Sequence, residues 1–288
     1  MNLTRRRFAL MLAMTPGVGG RTLTRILARN DLLNRTPEDF LSLSPEAMVE
    51  EYKVGRKSAA LLSGQEQMPA QIAELERRLD GLGVRLATAA DAHFPSRVES
   101  MDANPPCVLF LYGNQKLLSS KTFAVLSSRN APPKALDEVE QLAEAGVLAG
   151  EILVSGHDRP EYQRSAIVPL RWGAPRILVL DRGLFKALGD DLKDEPFRAA
   201  RLWRYQFDPQ TDLVISPFRP NSDFTGINNQ VRDRLIACLA DRLDFPWLAK
   251  GGNMEKLARM ALRAGRSVRT TKISPLAESF ERIGASIL

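Results

Sequence analysis

From residue 84 onward, short apolar runs alternate with helix-length amphipathic stretches. Short apolar runs bounded by turn residues predict buried strands, whereas apolar residues spaced three and four positions apart predict helices. Parallel neighbours in a sheet need a connection long enough to carry a helix, so the alternation predicts an α/β fold with a doubly wound, mostly parallel sheet. The predicted strands are 84–87, 108–112, 123–126, 152–154, 177–180, 213–215 and 267–271.

The first 65 residues follow a different pattern, in which short helical stretches are joined by tight turns. This pattern predicts a small helical domain over residues 1–65. Next, Ile72, Leu75 and Leu79 share one helical face, which predicts a linking helix over residues 66–83. The sheet domain is then expected over residues 84–288.

A glycine-rich turn joins the first two predicted helices. Residues 16–22 read Pro-Gly-Val-Gly-Gly-Arg-Thr, the form of a helix-hairpin-helix turn. Glycines in such a turn allow backbone amides to approach a DNA phosphate closely, so phosphate contacts are predicted for Gly17, Gly19 and Arg21. An ordinary glycine-rich corner between packed helices is the alternative.

Composition excludes several classes of protein. With 44% hydrophobic and 26% charged residues, the chain is typical of globular proteins rather than disordered ones. No apolar run approaches the length of a membrane-spanning helix, so no membrane association is expected. Two cysteines, Cys107 and Cys238, and two histidines are too few for common zinc sites. We therefore expect a cytoplasmic protein without a metal or cofactor.

Most of the positive charge lies in one segment. The net charge is +6, and residues 250–272 contain seven basic residues against the single acid Glu255, which is also +6. Lys256, Arg259 and Arg263 share one helical stripe in this segment. A concentrated basic surface predicts a polyanionic partner, and a merely solvated basic helix is the alternative.

Hydroxyl, glycine and arginine residues follow two of the predicted strands. Ser127, Ser128 and Arg129 come after one strand, and Ser155 with Gly156 comes after the next. Ligands of doubly wound sheets bind beyond the carboxyl ends of the strands, so these residues predict an anion site there. Capping serines beside a surface arginine would look the same.

No familiar catalytic motif is present. The sequence has no Walker loop, no Gly-x-Gly-x-x-Gly and no Gly-x-Ser-x-Gly, so an enzymatic activity is not expected. His157, Asp158 and Glu161 could support acid-base chemistry, although a polar loop is the preferred interpretation.

Several collinear segments resemble the DNA-processing protein A family, also called DprA/Smf. Residues 104–114 read Asn-Pro-Pro-Cys-Val-Leu-Phe-Leu-Tyr-Gly-Asn, and residues 232–241 read Arg-Asp-Arg-Leu-Ile-Ala-Cys-Leu-Ala-Asp where the family has Arg-Asn-Arg-Ile-Ile-Ala-Gly-Leu-Ser-Asp. The resemblance continues in residues 12–23, 94–97, 126–129 and 260–268.

The resemblance implies a Rossmann-like domain after a helical, SAM-like domain. It also implies a homodimer that binds single-stranded DNA, protects it and delivers it to RecA recombinase during DNA uptake and recombination, without an enzymatic step. By position, Arg232 and Arg234 join the candidate contacts. The predicted nucleic-acid contacts are Ser127, Ser128, Arg129, Ser155, Gly156, Arg232, Arg234, Lys250, Gly252, Lys256, Arg259 and Arg263.

The chain also departs from the family pattern. The family's Ser-Gly-x-Ala-x-Gly-Ile-Asp loop keeps only Ser155 and Gly156. Asp233 replaces an asparagine, and residues 229 and 230 replace a Phe-Pro pair. The sequence is expected to lack the C-terminal winged-helix domain that many members carry.

Two other functions are left open by these departures. Residues 251–255, Gly-Gly-Asn-Met-Glu, partly match the loop of nucleotide sensors and ribosyl-bond hydrolases in the same superfamily. Alternatively, the chain is a degenerate partner subunit in a defence or mobile-element system, whose altered loops make protein contacts.

Overall fold

The structure is a computed structural model that describes residues 3–64 and 68–288. The chain forms two compact units, which we call the helical unit, Met1–Phe94 with Ala103–Phe110, and the sheet unit, Pro95–Asp102 with Leu111–Leu288. Residues 66 and 67 of the predicted linking helix, and residues 1, 2 and 65 of the predicted helical domain, lie outside the described residues. None of the described helices is both long enough and apolar enough to cross a membrane.

Short capped helices build the helical unit. Thr4 begins the first helix by accepting a hydrogen bond from the Arg7 amide, and Thr36 and Asp39 form a capping box at the third. The rings of Phe8, Phe40 and Tyr52 then stack edge to face in the core, with centroids 5.5 and 4.8 Å apart. The helices are α1 (Arg5–Met14), α2 (Gly20–Leu33), α3 (Pro37–Leu41), α4 (Pro45–Tyr52), α5 (Arg56–Ser63) and α6 (Met68–Gly81).

The strands form one sheet in the order β1-β2-β6-β5-β4-β3-β7-β8-β9. Every described pairing from β6 to β9 is parallel, which confirms the predicted doubly wound, mostly parallel α/β fold. The strands are β1 (Arg85–Thr88), β2 (Val108–Gly113), β3 (Thr122–Val125), β4 (Ile152–Ser155), β5 (Arg176–Val179), β6 (Leu213–Ser216), β7 (Arg242–Phe245), β8 (Ser267–Thr270) and β9 (Ser286–Ile287).

Helices and two short 3₁₀ segments connect these strands. Helix α8 packs on β3 and β4, where Val139 and Ala143 meet Phe123 and Leu153 in a fully buried cluster. The helices are α7 (Ser96–Met101), α8 (Pro133–Leu148), α9 (Pro160–Arg171), α10 (Leu184–Leu188), α11 (Asn228–Leu239), α12 (Asn253–Arg263) and α13 (Ala277–Glu281), and the 3₁₀ segments are Gln115–Ser119 and Arg198–Leu202.

The order in which successive strands are added to the sheet reverses at strand β3. The strands that follow β3 through β6 are added on one side of it, whereas β7 and β8 are added on the other. The connections that leave β3 and β7 therefore diverge, and a crevice opens between them at the carboxyl ends of the strands.

Candidate nucleic-acid interface

A cavity of about 340 Å³ lies in this crevice of the sheet unit. The segments that follow β3, β4 and β7 contribute to its walls, together with the first turns of α11 and α12. Its lining residues are Ser128, Arg129, Arg159, Asn229, Gln230, Asp233, Ala249, Gly252, Asn253 and Met254. We call it the crevice cavity.

Ser128 joins the two segments that border the cavity. Its amide donates to the Trp247 carbonyl at 2.9 Å, and its Oγ accepts a hydrogen bond from the Ala249 amide at 2.9 Å. Neighbouring Ser127 is buried, and its Oγ lies 3.5 Å from the Ser128 carbonyl. The two serines thus fix the shape of the rim.

Arg129 is the exposed cation at this rim. It precedes Asn130, whose φ of 59° turns the chain sharply away from the strand. Among the described residues, no carboxylate lies within ion-pair distance of the Arg129 guanidinium. Arg159 lines the same cavity, and its nearest carboxylate, on Asp158, is 3.9 Å away. Arg129 is therefore available for an anion.

The first turns of α11 and α12 meet in the crevice cavity. Neither helix begins with a side-chain capping hydrogen bond. Gly252 precedes α12, and a Cβ there would lie 3.1 Å from the Ala249 carbonyl oxygen, so the tight turn favours glycine. In α11 the amides of Asn228 and Gln230 already donate to the Thr225 and Ile227 carbonyls. The start of α12 is therefore the one that favours an anionic ligand, because uncapped amides at a helix start carry partial positive charge.

Asn229, in the first turn of α11, is a lining residue whose amide oxygen is itself buried. Its side chain is 8% exposed, lines the cavity, and has no hydrogen-bond partner for its Oδ1 among the described residues. Buried polar atoms in native proteins are nearly always hydrogen-bonded, so this oxygen is expected to accept from a water molecule or, after the amide rotates, from a ligand. An asparagine early in a predicted helix is the one sequence feature that points to it.

Arg232 lies behind the cavity and is only 1% exposed. Its guanidinium contacts Asp158 and lies 2.9 Å from Asp233 and 3.9 Å from Asp181. It also stacks 4.6 Å from the ring centroid of Tyr162. The guanidinium is therefore enclosed by carboxylates and does not reach a phosphate at the surface, contrary to the role expected from the sequence.

Two neighbours complete this buried cluster. The Tyr162 hydroxyl donates to Asp233 at 2.7 Å, and burial together with Asp233 raises the pKa of Tyr162. A Cβ on Gly156 would lie 3.2 Å from Arg232 Nε, so Gly156 makes room for the guanidinium. Burial also lowers the pKa of His157 to about 4, which leaves that imidazole neutral at pH 7.

Other predicted contacts lie outside the cavity lining. Arg234 pairs with Asp102 at 2.7 Å, and Ser155 is buried with no partner for its Oγ among the described residues. Arg259 pairs with Glu255 at 2.9 Å and stacks 5.0 Å from the Phe280 ring centroid. Of the predicted basic stripe on α12, Arg259 is therefore already engaged within the protein. The remaining predicted cations, Lys250, Lys256 and Arg263, are exposed.

The glycine-rich turn belongs to the helical unit. Gly17 has a φ of +81°, and a Cβ there would lie 2.7 Å from Ser58 Oγ, which donates to the Pro16 carbonyl at 2.8 Å. A Cβ on Gly20 would lie 2.5 Å from the Pro105 carbonyl oxygen. These two glycines permit close packing. Gly17, Gly19 and Arg21 are all exposed and stay predicted phosphate contacts.

Comparison with known proteins identifies one matching family model and solved structures with a similar fold. The family model described as DNA recombination-mediator protein A matches residues 85–281. The structure of DNA processing protein A (DprA) from Streptococcus pneumoniae is similar, with a TM-score of 0.73 and 19% identity, covering 100% of this chain and 95% of that one.

A second solved structure is similar over a shorter part of the chain. It is DNA processing protein A from Helicobacter pylori, whose single-stranded DNA binding mode was described, with a TM-score of 0.53 and 17% identity. The likeness covers 70% of this chain and 90% of that one. No curated protein matched the sequence.

Proposed function

Because the chain belongs to the DNA recombination-mediator protein A family, we propose that it binds single-stranded DNA in the crevice cavity and acts in DNA recombination. The family match confirms the resemblance seen in the sequence. The observation that carries the binding site is the cavity itself, where the exposed Arg129 and the start of α12, which has no side-chain cap, both contribute to the lining.

Phosphate and base would use different parts of this cavity. Arg129 can make paired hydrogen bonds to a phosphate, and the first-turn amides of α12 supply further donors. The Asn229 amide can accept a hydrogen bond from a base amino or imino group once its buried Oδ1 rotates toward the cavity. A volume of about 340 Å³ lies in the range of small-molecule sites, so one nucleotide is a reasonable occupant.

The acid at the cavity wall does not oppose this assignment. Asp233 accepts from the Tyr162 hydroxyl and from Arg232, and Asn253 Nδ2 lies 3.5 Å from its second oxygen. Its negative charge is balanced by Arg232 directly behind it. The replacement of asparagine by Asp233 is therefore compatible with a phosphate at the rim.

Single-stranded DNA is expected to bind more tightly than duplex, because only an unpaired base can present its hydrogen-bonding edge to Asn229. A slope of roughly −2 to −4 in log K against log salt is expected for a handful of phosphate contacts. Fluorescence anisotropy with matched single-stranded and duplex oligonucleotides at several salt concentrations measures both. A higher affinity for duplex than for single-stranded DNA, or an affinity that does not change with salt concentration, would contradict the proposal.

The ribosyl-bond hydrolase alternative depends on Glu255. That carboxylate accepts from the Gly251 amide at 2.7 Å and pairs with Arg259, and these contacts lower the pKa of Glu255. A carboxylate so engaged is a poor general base, so we propose that Glu255 closes the first turn of α12 and that the protein is not an enzyme.

We further propose, from the family resemblance, that the protein works in the cytoplasm as a homodimer that protects the strand and delivers it to RecA recombinase. We also propose the domain division 1–65, 66–83 and 84–288. Ser127, Ser155 and Gly156 then shape the site from behind, while Lys250 and Lys256 add charge near α12.

A further inference from the structure

A second cavity of about 580 Å³ lies in the sheet unit on the other side of the loop that follows β4. His157 and Asp158 of that loop line this second cavity, whereas the next residue, Arg159, lines the crevice cavity. Arg182, Lys186 and the segment 194–201 complete much of the wall. The two cavities are thus separated by one short loop.

The segment from Glu195 to Arg204 is held at both ends by buried charges. Arg176 and Asp212 are fully buried and paired at 2.7 Å. Glu195 pairs with Arg176 at 2.7 Å, and Arg204 pairs with Asp212 at 3.0 Å. We call the segment 195–205 the platform, because its two ends are fixed to the same ion pair.

The 3₁₀ geometry between these ends sorts the platform's side chains into faces. Residues three apart eclipse each other in a 3₁₀ turn. Phe197 and Ala200 accordingly pack together on Ala166 and Leu170 of α9. The next positions, Arg198 and Arg201, are exposed and line the second cavity. The packing of Phe197 and Ala200 on α9 therefore directs Arg198 and Arg201 toward the second cavity.

Arg198 and Arg201 carry two of the three lining charges that have no ion pair among the described residues, and Asp194 carries the third. Arg182 pairs with Asp181 and Lys186 pairs with Asp223, while Asp158 and Glu195 contact the buried arginines. In the described part of the chain, neither Arg198 nor Arg201 has a carboxylate within ion-pair distance. Two positive charges against the one carboxylate of Asp194 leave the cavity with an excess of one positive charge.

Exposed rings follow the arginines along the platform. Trp203 is partly exposed and Tyr205 is 83% exposed, with Leu202 exposed beside them. Gln206 forms an isolated bridge with Asp194, which itself lines the second cavity, so Tyr205 is held close to it. Cations next to exposed aromatic rings are typical of sites for single-stranded nucleic acid, because the cations contact phosphates and the rings stack on unpaired bases.

We propose that the platform is a second contact site for the same DNA strand, with Arg198 and Arg201 at phosphates and Tyr205 stacked on a base. This inference rests on the proposed function, because it extends the strand from the crevice cavity across the loop 157–159. Short oligonucleotides would fill only the crevice cavity, whereas longer ones would reach the platform.

The test compares oligothymidylates of roughly 4 and roughly 16 nucleotides, within the usual span of single-strand sites. Arg198→Ala/Arg201→Ala is expected to weaken binding of the longer strand about 10-fold or more and to reduce the salt slope by about 1.4, with the shorter strand unaffected. The matched control Arg164→Ala/Arg171→Ala removes two exposed arginines of α9 that pair with Glu140 of α8 and do not line the second cavity, and it should bind both strands normally.

Each other outcome contradicts one of the two proposals. If the wild-type protein binds neither strand, the proposed function fails and the platform proposal fails with it. If the wild-type protein binds but the platform variant keeps its full affinity, only the platform proposal is wrong, and a surface that instead binds a protein partner would give this result. The platform proposal is also wrong if the platform variant and the control variant lose the same affinity, or if the platform variant loses the same affinity for both strand lengths.

Tyr205 provides an independent check on stacking. Tyr205→Ala is expected to weaken binding of the longer strand about 5-fold or more, and Tyr205→Phe to retain the affinity, because stacking needs the ring and not the hydroxyl. Circular dichroism establishes that the variants are folded. Equal affinities for Tyr205→Ala and the wild type would show that Tyr205 does not stack on a base of the bound strand.

Discussion

Replacing Arg232 with methionine is expected to lower the free energy of unfolding by about 3–5 kcal/mol. The substitution retains an unbranched apolar side chain but removes the guanidinium that Asp158, Asp181 and Asp233 surround. Asp233 would then have no counter-charge, Asp158 and Asp181 would keep only Arg159 and Arg182, and the stacking contact with Tyr162 would be lost. Urea unfolding followed by circular dichroism measures the change.

Two further variants separate charge from packing in this prediction. Arg164→Met, at an exposed arginine paired with Glu140, should change stability by less than about 0.5 kcal/mol. Adding Asp158→Asn and Asp233→Asn to Arg232→Met should recover part of the loss, because fewer buried charges then lack a partner. A loss below about 1 kcal/mol for Arg232→Met alone would show that the cluster does not support the fold.

Arg129→Glu is expected to weaken single-stranded DNA binding about 30-fold or more, which corresponds to about 2 kcal/mol. The change removes the exposed guanidinium at the cavity rim and places a negative charge beside the strand's phosphate. Arg129→Lys should cost about 1 kcal/mol, because an ammonium group cannot make the paired hydrogen bonds of a guanidinium. The fold should be unaffected, since Arg129 is exposed.

The matched control for this second prediction is Arg263→Glu. Arg263 is also exposed and gives the same change in net charge, but it lies near the end of α12 and does not line the crevice cavity. Anisotropy titrations should therefore show a much smaller loss for Arg263→Glu than for Arg129→Glu. Equal losses would mean that the basic surface of α12, as predicted from the sequence, matters more than the cavity.

Much of the fold could be predicted because most strands are apolar runs between amphipathic stretches. Strand β7 was missed, since its sequence Arg-Leu-Asp-Phe alternates charge with apolar residues. Its Asp244 is fully buried and is neutralised by Arg242 and Arg269, a pairing that depends on neighbouring strand β8. Strand β9 has only two residues, which is too short to produce a pattern.

The site was only partly predictable for a similar reason. Ser128 and Arg129 could be placed because strand ends follow directly from strand positions. Buried Arg232 could not be distinguished from exposed Arg129 in the sequence, because the carboxylates around Arg232 include Asp158 and Asp181 from distant segments. The unsatisfied atom of Asn229 likewise exists only once α11 is packed.

Photo-cross-linking tests the central claim, that single-stranded DNA lies in the crevice cavity, most directly. A single-stranded oligonucleotide carrying 5-iododeoxyuridine is bound to the wild-type protein and irradiated, and the modified peptides are identified by mass spectrometry. We predict cross-links in the segments that line the cavity, at Met254 and near Asn229. Cross-links confined to other segments, such as the glycine-rich turn at residues 16–22, with the cavity segments unmodified, would contradict the account.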